Sequence, residues 1–552
     1  AVRPVRRHPG RGGRAAVPAT IETSMSAVPT ASLSADLRRN PGLALLLLAG
    51  VLLSFFTGLG AVPLFDLDEG AFAEATREML DRGDYISTFL NGEPRYDKPV
   101  LVYWLQALSV LAFGVNEFAF RLPSALCATG WVLVVLLFVR RVASARPALL
   151  AAGFTATAAG ITVIGRAAIA DALLNFLIVT AMASAYLYLR EGRRAWLLCA
   201  YMSMGFGLLA KGPVAVLVPL ATTFLHCLSR RDLKTWLRAV LDPAGIALML
   251  AIAAPWYAAQ YWKEGDAFVR GFLFKHNVDR FRAPMHGFDG SLFFYVPWLL
   301  VATLPFLTPL LNTGRGLRQI WADDLQRFCL LWFGFVFLFF SASGTKLPHY
   351  VFYGYTGLFI LMALQAPRLR SGVLALVPAL GVFALLGAVP WLVETFSPRL
   401  ADPYYREALA AVRQGLGAGF GSFTVAACAG VVALMALRRV PLDTRLMAAG
   451  VAQAAAMALF VLPAAGEAQQ APVKEAALLA RSHGWEVVMW GLNTPSFMVY
   501  SERLVQRRDP RPGEIALVRM KKLREQPSGE AGFELLYQRN GIALVRVPGA
   551  AR

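Results

Sequence analysis

The stretch "PVLVYWLQALSVLAF", residues 99–113, decides how this chain is threaded. It is apolar from end to end but short, because a helix needs about 20 residues to cross the hydrocarbon core of a bilayer. Apolar stretches of membrane length stand at 43–64, 120–139, 147–164, 170–189, 195–210, 213–228, 240–260, 293–311, 326–342, 349–365, 372–393, 420–437 and 446–463. Whether 99–113 also crosses sets the side on which every later loop lies. If it does not cross, the basic loops all fall on the side of Arg38 and Arg39. These loops carry Arg140, Arg141 and Arg146; Arg190, Arg193 and Arg194; Arg230, Arg231 and Lys234; Arg315 and Arg318; Arg368 and Arg370; and Arg438, Arg439 and Arg445. If it crosses, those loops move to the outside, against the excess of Lys and Arg that cytoplasmic loops carry. The stretch is therefore expected to lie along the outer interface as an amphipathic helix. About thirteen transmembrane helices remain, with the N-terminus cytoplasmic and the C-terminus outside.

Composition agrees with a polytopic α-helical membrane protein. Of the 552 residues 57% are hydrophobic, against about 45–50% in soluble domains, and mean hydropathy is +0.52. The net charge of +19 resides mostly in short loops between apolar runs, so it reads as topology and implies no nucleic-acid partner. Five Cys without a CxxC pair exclude a disulfide framework or zinc knuckle. Residues 1–40, rich in Arg, Pro and Ala, are expected to form a disordered cytoplasmic arm with Met25 as a candidate start. The run at 43–64 is too long for a signal h-region and reads as an uncleaved first span. The transmembrane domain is expected over 41–463, with outer loops at 65–98 and 262–292. From 464 to 552 the pattern becomes that of a small α/β domain, with "PVKEAALLARSHG" as a helix and "WEVVMWG" and "IALVRV" as strands.

This threading gathers the ionisable residues on the outer face. "FDLDEGAFAEATREML" (65–80) places Asp68 and Glu69 at a membrane exit and at a helix start, where capping competes with chemistry as an explanation. "NGEPRYDKPVLVYW" supplies Asp97 and Lys98, the latter at headgroup depth, where a Lys either snorkels or grips a lipid phosphate. "GRAAIADALLNF" holds Arg166 and Asp171, and "LLAKGPVAVL" holds Lys211. "FKHNVDRFRAPMHG" holds His276 and Arg282, and "SGTKLPHYV" holds Lys346, His349 and Tyr350. Each piece alone is weak; together they form a cationic rim with a few carboxylates at interface depth. That suits transfer chemistry on a lipid-borne phosphate, with cations neutralising the phosphate and carboxylates serving a proton or an amine. No GxxxxGK[ST], HExxH or GxSxG context is present, so nucleotide hydrolysis, metalloprotease and serine hydrolase chemistry lack support. A lipid transporter would carry its ionisable groups near the bilayer midplane and show internal repeats, and neither is found.

The run "DLDEGAFAEATREMLDRGDYISTFLNGEPRYDKPVLVYW", followed by "IADALLNF", "AKGPVA", "HNVDRF…APMHG…FFYVPWLL" and "SGTKLPHY", resembles the lipid A aminoarabinose transferases (ArnT type). These are GT-C membrane glycosyltransferases related to protein O-mannosyltransferases. The resemblance covers residues 43–365 and the C-terminal domain only generally. It implies the GT-C fold and transfer of 4-amino-4-deoxy-L-arabinose from undecaprenyl phosphate to lipid A phosphates at the periplasmic face of a bacterial inner membrane, the chemistry behind polymyxin resistance. It places Asp68 as catalytic, with Glu69 and Asp171 beside it. Lys98, Lys211, Arg282, Lys346 and Tyr350 are implied to hold the donor and its phosphate, and Arg166, from its place on the same cationic rim, is expected to join them. No cofactor is required, though family members bind a divalent metal such as zinc in this region, for which Asp97 and His276 are the matching side chains. The implied partners are the lipid-linked sugar, lipid A and membrane lipids, with the chain a monomer. One departure touches sugar specificity: "LDEGAF" stands where close enteric members carry "PDETRY". Another polyprenyl-phosphate-sugar-dependent transferase, such as a protein O-mannosyltransferase, is the alternative.

Overall fold

A computed structural model describes residues 32–279, 291–400, 403–526 and 529–549. Among them, seven helices are long and apolar enough to cross a bilayer: Glu117–Val142, Asp171–Glu191, Pro243–Glu264, Asp324–Ser341, Gly372–Arg399, Gly419–Ala436 and Leu442–Gln469. Two bent pairs raise the number to nine, Leu33–Arg39 with Pro41–Phe56 (104°) and Ala145–Thr157 with Ala159–Arg166 (66°). The remaining apolar stretches are helical but interrupted or short. The 293–311 stretch breaks into Tyr295–Ala302 and Leu307–Arg315. The 349–365 stretch spends its first turn as a 3-10 segment, Pro348–Val351, before the 14-residue helix Phe352–Gln365. Arg194–Lys211 has the length but carries a cation at each end, and Val214–Ser229 has only 16 residues. Hydropathy thus located these segments, while proline and terminal charge set their lengths.

Burial sorts the helices into a centre and a rim. Asp171–Glu191 is 72% buried over its apolar window, whereas Gly372–Arg399 and Gly419–Ala436 are 22% and 17% buried and show most of their side chains outward, as lipid-facing helices do. The stretch that decided the threading forms the 13-residue helix Leu101–Phe113, about 20 Å long at 1.5 Å per residue and too short to span. It buries Tyr103 and Gln106 and exposes Leu108, Leu111 and Phe113, the division expected of a helix lying in an interface.

The basic loops meet one another at one end of the bundle. Arg140 pairs with Asp36, Arg141 with Glu191, Arg146 with Asp443 and Arg194 with Asp242. Asp324 receives Arg327 at 2.9 Å. The Asp36 contact corrects the expectation of a disordered arm over 1–40: Leu33–Arg39 is a helix, capped by Ser32 and pinned by Arg140. Residues 1–31 lie outside the described residues.

The other end carries the 65–98 loop and the C-terminal domain. The last span continues to Gln469 and hands over to the helix Ala471–Ser482. A four-stranded sheet follows, in which Val487–Trp490 runs parallel to Ile515–Arg519, which pairs antiparallel with Ile542–Arg546, itself antiparallel to Glu534–Arg539. Its short helix Pro495–Ser501 packs on the helix Asp68–Arg82. The Tyr500 hydroxyl accepts from the Leu64 amide (2.7 Å) and donates to Glu117 (3.0 Å), and Asn91 exchanges two hydrogen bonds with the Val505 backbone. The C-terminal domain and the 65–98 loop therefore share a face, independently of any charge rule. In a cysteine-free background, Val115→Cys and Leu504→Cys, both at exposed positions, are expected to react with a membrane-impermeant maleimide added outside intact spheroplasts. Labelling of either only after lysis would contradict this threading.

Candidate active site

The site is organised by one buried carboxylate. Glu69 sits in the first turn of Asp68–Arg82. Its Oε1 accepts from Arg121 Nε (2.8 Å) and the Ala168 amide (2.7 Å), and its Oε2 accepts from Arg121 Nη2 (2.6 Å) and the Phe65 amide (2.9 Å). Arg121 spends its remaining donors on the carbonyls of Leu59, Val62 and Pro63. Burial alone would raise the Glu69 pKa, but the charge and hydrogen bonds of Arg121 outweigh it and hold the group below the usual carboxylate range. With every acceptor position filled, Glu69 is placed to shape the loop rather than to take a proton from a substrate.

Its neighbour has the opposite environment. Asp68 is exposed, and among the described residues its carboxylate makes no hydrogen bond or ion pair; it does not cap its own helix. It lines a cleft of about 220 Å³ together with Asp66, Arg121, Arg166 and His349, flanked by Val163 and Leu462 from two spans. Asp66 is fastened to the C-terminal domain, accepting from the Ser496 amide (2.9 Å) and the Ser496 hydroxyl. A Cβ at Gly70 would run into both the Asp66 carboxylate and the Ser496 backbone, so the close approach of the two segments requires glycine there. Burial raises the Asp66 pKa to about 7, against the lowering effect of the Ser496 hydrogen bonds.

A second cluster stands behind the cleft. Asp171, at the start of its helix, accepts from Lys211 Nζ (2.6 Å) and the Tyr353 hydroxyl (2.8 Å) through Oδ1, and His349 Nε2 lies 3.8 Å from the same oxygen. The rings of Tyr350 and Tyr353 each lie 5.5 Å from Lys211 Nζ. The charges of Asp171, Lys211, Asp68 and Lys98 all reach the His349 imidazole, which makes His349 the link between the two clusters. Lys346 is buried and donates to the Ser343 carbonyl (2.7 Å). Lys98 donates to the carbonyl of Asp97 (3.0 Å). Arg166 is buried beside the cleft. Arg282 lies outside the described residues.

Asp97 and His276 do meet, with Oδ1 and Nε2 at 2.8 Å. Burial would raise Asp97, but the His276 hydrogen bond and the charges of Arg95, Lys98 and His276 hold it well below the carboxylate range. A catalytic zinc takes three protein ligands and a structural one four. Among the described residues no third His, Cys, Asp or Glu joins this pair.

Four residues of this arrangement went unassigned in the sequence. Arg121 was hidden at the head of an apolar run, although a charge at that position is itself a signal. His349 stood in a quoted motif without a role. Tyr353 read as one aromatic among many, and Ser496 lies more than four hundred residues from Asp66, where no local pattern connects them.

Residues 97–258 match the family model described as dolichyl-phosphate-mannose-protein mannosyltransferase. An uncharacterized protein of Aquifex aeolicus is 30% identical over 352 residues, covering 63% of this chain and 79% of that one. The undecaprenyl phosphate-alpha-4-amino-4-deoxy-L-arabinose arabinosyl transferase of Shewanella sediminis is 30% identical over 298 residues, 53% of this chain and 54% of that one. The crystal structure of ArnT from Cupriavidus metallidurans bound to undecaprenyl phosphate superposes with a TM-score of 0.75 at 20% identity, covering 92% of this chain and 98% of that one. The chain belongs to the GT-C family of membrane glycosyltransferases that includes ArnT. The match to the Shewanella sediminis arabinosyl transferase spans about half of that relative's length, and the likeness to the solved structure carries the fold alone.

The Asp66 latch has a measurable signature. A carboxyl whose folded pKa is raised from 3.8 to about 7 contributes stability that is full below the unfolded pKa and is lost as pH rises through the folded one. The melting temperature of the wild type is expected to fall between about pH 4 and pH 7, and that slope is expected to flatten in Asp66→Asn. Parallel melting curves for the two proteins across this range would contradict the latch.

Proposed function

We propose that this protein transfers 4-amino-4-deoxy-L-arabinose from undecaprenyl phosphate to phosphate groups of lipid A, at the periplasmic face of a bacterial inner membrane. The observation that carries the reading is the unpartnered Asp68 carboxylate, held at a membrane exit in a cleft it shares with Arg166 and His349. The named activity of relatives such as the Shewanella sediminis transferase supports it. Both reactants are lipids whose reacting groups lie at interface depth, which is why the site stands there and not in a soluble domain.

In the transfer, an oxygen of the acceptor phosphate forms a bond to the anomeric carbon of the sugar. The bond from that carbon to the carrier's phosphate oxygen breaks, and its electron pair leaves with undecaprenyl phosphate. Lys98, Lys211 and Lys346 are the cations that stabilise the phosphate as this charge develops, Arg282 being a further candidate. An acceptor phosphate is already largely ionised at neutral pH, so it needs little help from a base. Asp68 then orients the acceptor or pairs with the sugar's ammonium, in a cleft where charge acts more strongly than in bulk water. Asp171, neutralised by Lys211, positions Lys211 and Tyr353. Capping lipid A phosphate with a cationic sugar lowers the negative charge of the membrane surface, the property that cationic peptides such as polymyxin exploit. The chain acts as a monomer within the lipid bilayer and has no use for nucleic acid.

A second reading, protein O-mannosylation or another sugar transfer to a hydroxyl, draws on the description of the matching family model. A hydroxyl acceptor requires a true base, and His349 lines the same cleft as Asp68. Mass spectrometry of lipid A from cells with and without the protein separates the two: added aminoarabinose is expected only with it, and an unchanged lipid A profile would overturn the reading. Asp68→Asn, nearly isosteric and an equally good capping residue, is expected to lose at least about 99% of transfer, roughly 3 kcal/mol of transition-state stabilisation, at unchanged expression. Lys98→Ala is expected to lose most of it. An active Asp68→Asn protein would return Asp68 to a solvated lip.

A further inference from the structure

Arg166 is a buried cation without a counter-ion. It is 5% exposed, its Nη2 donates to the Thr57 carbonyl (2.8 Å), and its Nη1 is buried with no partner. No carboxylate lies within ion-pair distance of it among the described residues: Glu69, whose charge reaches it, is already spent on Arg121. Asp171, the other buried carboxylate of the site, is held by Lys211. A protein that only had to fold would not keep an orphaned guanidinium away from water, because an unpaired buried charge is costly. An anion entering from outside would supply the missing partner.

The cleft beside Arg166 says what kind of anion. Its space of about 220 Å³ has room for a phosphate group. One flank is formed by Val163 and Leu462, which belong to the spans Ala159–Arg166 and Leu442–Gln469, and Val163 is 39% exposed. The cleft is thus bordered on one side by Asp68 and on another by membrane-facing apolar surface. That geometry suits a phosphate monoester whose remaining body stays in the bilayer. Lys98 and Lys211, the cations assigned above to the donor's phosphate, are not among the residues lining this cleft.

We propose that Arg166 is the acceptor-phosphate subsite: its guanidinium, which lines the cleft, holds a phosphate monoester borne on a membrane glycolipid next to Asp68, while the carrier's phosphate is held by Lys98 and Lys211. This rests on the functional reading given above. It makes Arg166 a specificity-determining residue for an anionic acceptor, since a neutral hydroxyl acceptor would leave the guanidinium as unsatisfied as it is without ligand.

The test uses the full chain in nanodiscs, with melting temperature and equilibrium binding measured against lipid A, undecaprenyl phosphate and inorganic phosphate. Arg166→Gln is expected to weaken lipid A binding at least about tenfold, the scale of one charged hydrogen bond, and undecaprenyl phosphate binding less than about twofold. Arg166→Lys is expected to recover part of the lipid A affinity. Without ligand, Arg166→Gln is expected to melt no lower than the wild type, because it removes an uncompensated charge; a lower melting point would mark Arg166 as a structural anchor. Unchanged lipid A binding in Arg166→Gln, or equal loss of both lipids, would overturn the assignment. Inorganic phosphate binding as tightly as lipid A would overturn the lipid source. Wild-type protein that binds lipid A through Arg166 but transfers no sugar to it would sink the functional reading and leave the subsite standing.

Discussion

The pair of Glu69 and Arg121 is the interaction on which the outer face depends. Both side chains are buried, at 4% and 3% exposure, so each charge would be prohibitive alone. Together they tie four pieces of chain: the end of the first apolar run through Leu59, Val62 and Pro63; the loop at Phe65; the helix bearing Arg121; and the turn at Ala168. Buried pairs of this kind add little net stability over apolar packing but fix a register. Here the register is that of Asp68, which the clamp leaves one residue away with nothing bound to it.

Charge is handled differently at the two ends of the bundle. At the end carrying the basic loops, arginines find carboxylates across loops, as in Arg140–Asp36 and Arg146–Asp443. At the other end the pairing is selective: Glu69 and Asp171 are neutralised, while among the described residues the Asp68 carboxylate and the Arg166 Nη1 are left without partners. On the proposed function such unsatisfied groups would meet anionic lipids and a cationic sugar, and natural proteins accept their cost where function demands it. The C-terminal domain closes this end through Ser496 and Tyr500, so it belongs to the site's architecture.

Much of this was legible in the sequence. The apolar stretch at 99–113 forms the 13-residue helix Leu101–Phe113, too short to span a bilayer, as its length implied. Asp68, Asp171 and Lys211 were readable because charged residues at membrane edges are few and spans force them to one face; Asp97 and His276, more than a hundred residues apart, indeed touch. What stayed hidden was partnership. Nothing local distinguishes Glu69, which the structure clamps, from Asp68, which it leaves open, because the difference lies in Arg121 and Ala168 far along the chain. Span lengths were also overestimated where proline or a terminal charge cut an apolar run, as between Tyr295–Ala302 and Leu307–Arg315.

On the proposed function adjacent acidic residues divide the work, Glu69 holding the fold and Asp68 serving the reaction. The most direct measurement compares Glu69→Gln and the wild type for melting temperature and for turnover per folded molecule with purified lipid-linked aminoarabinose and lipid A. Removing the charge opposite buried Arg121 is expected to cost roughly 3–5 kcal/mol of stability, seen as a clearly lowered melting temperature, with turnover of the surviving folded fraction within about tenfold of wild type. A Glu69→Gln protein that melts like the wild type but does not turn over would contradict the division.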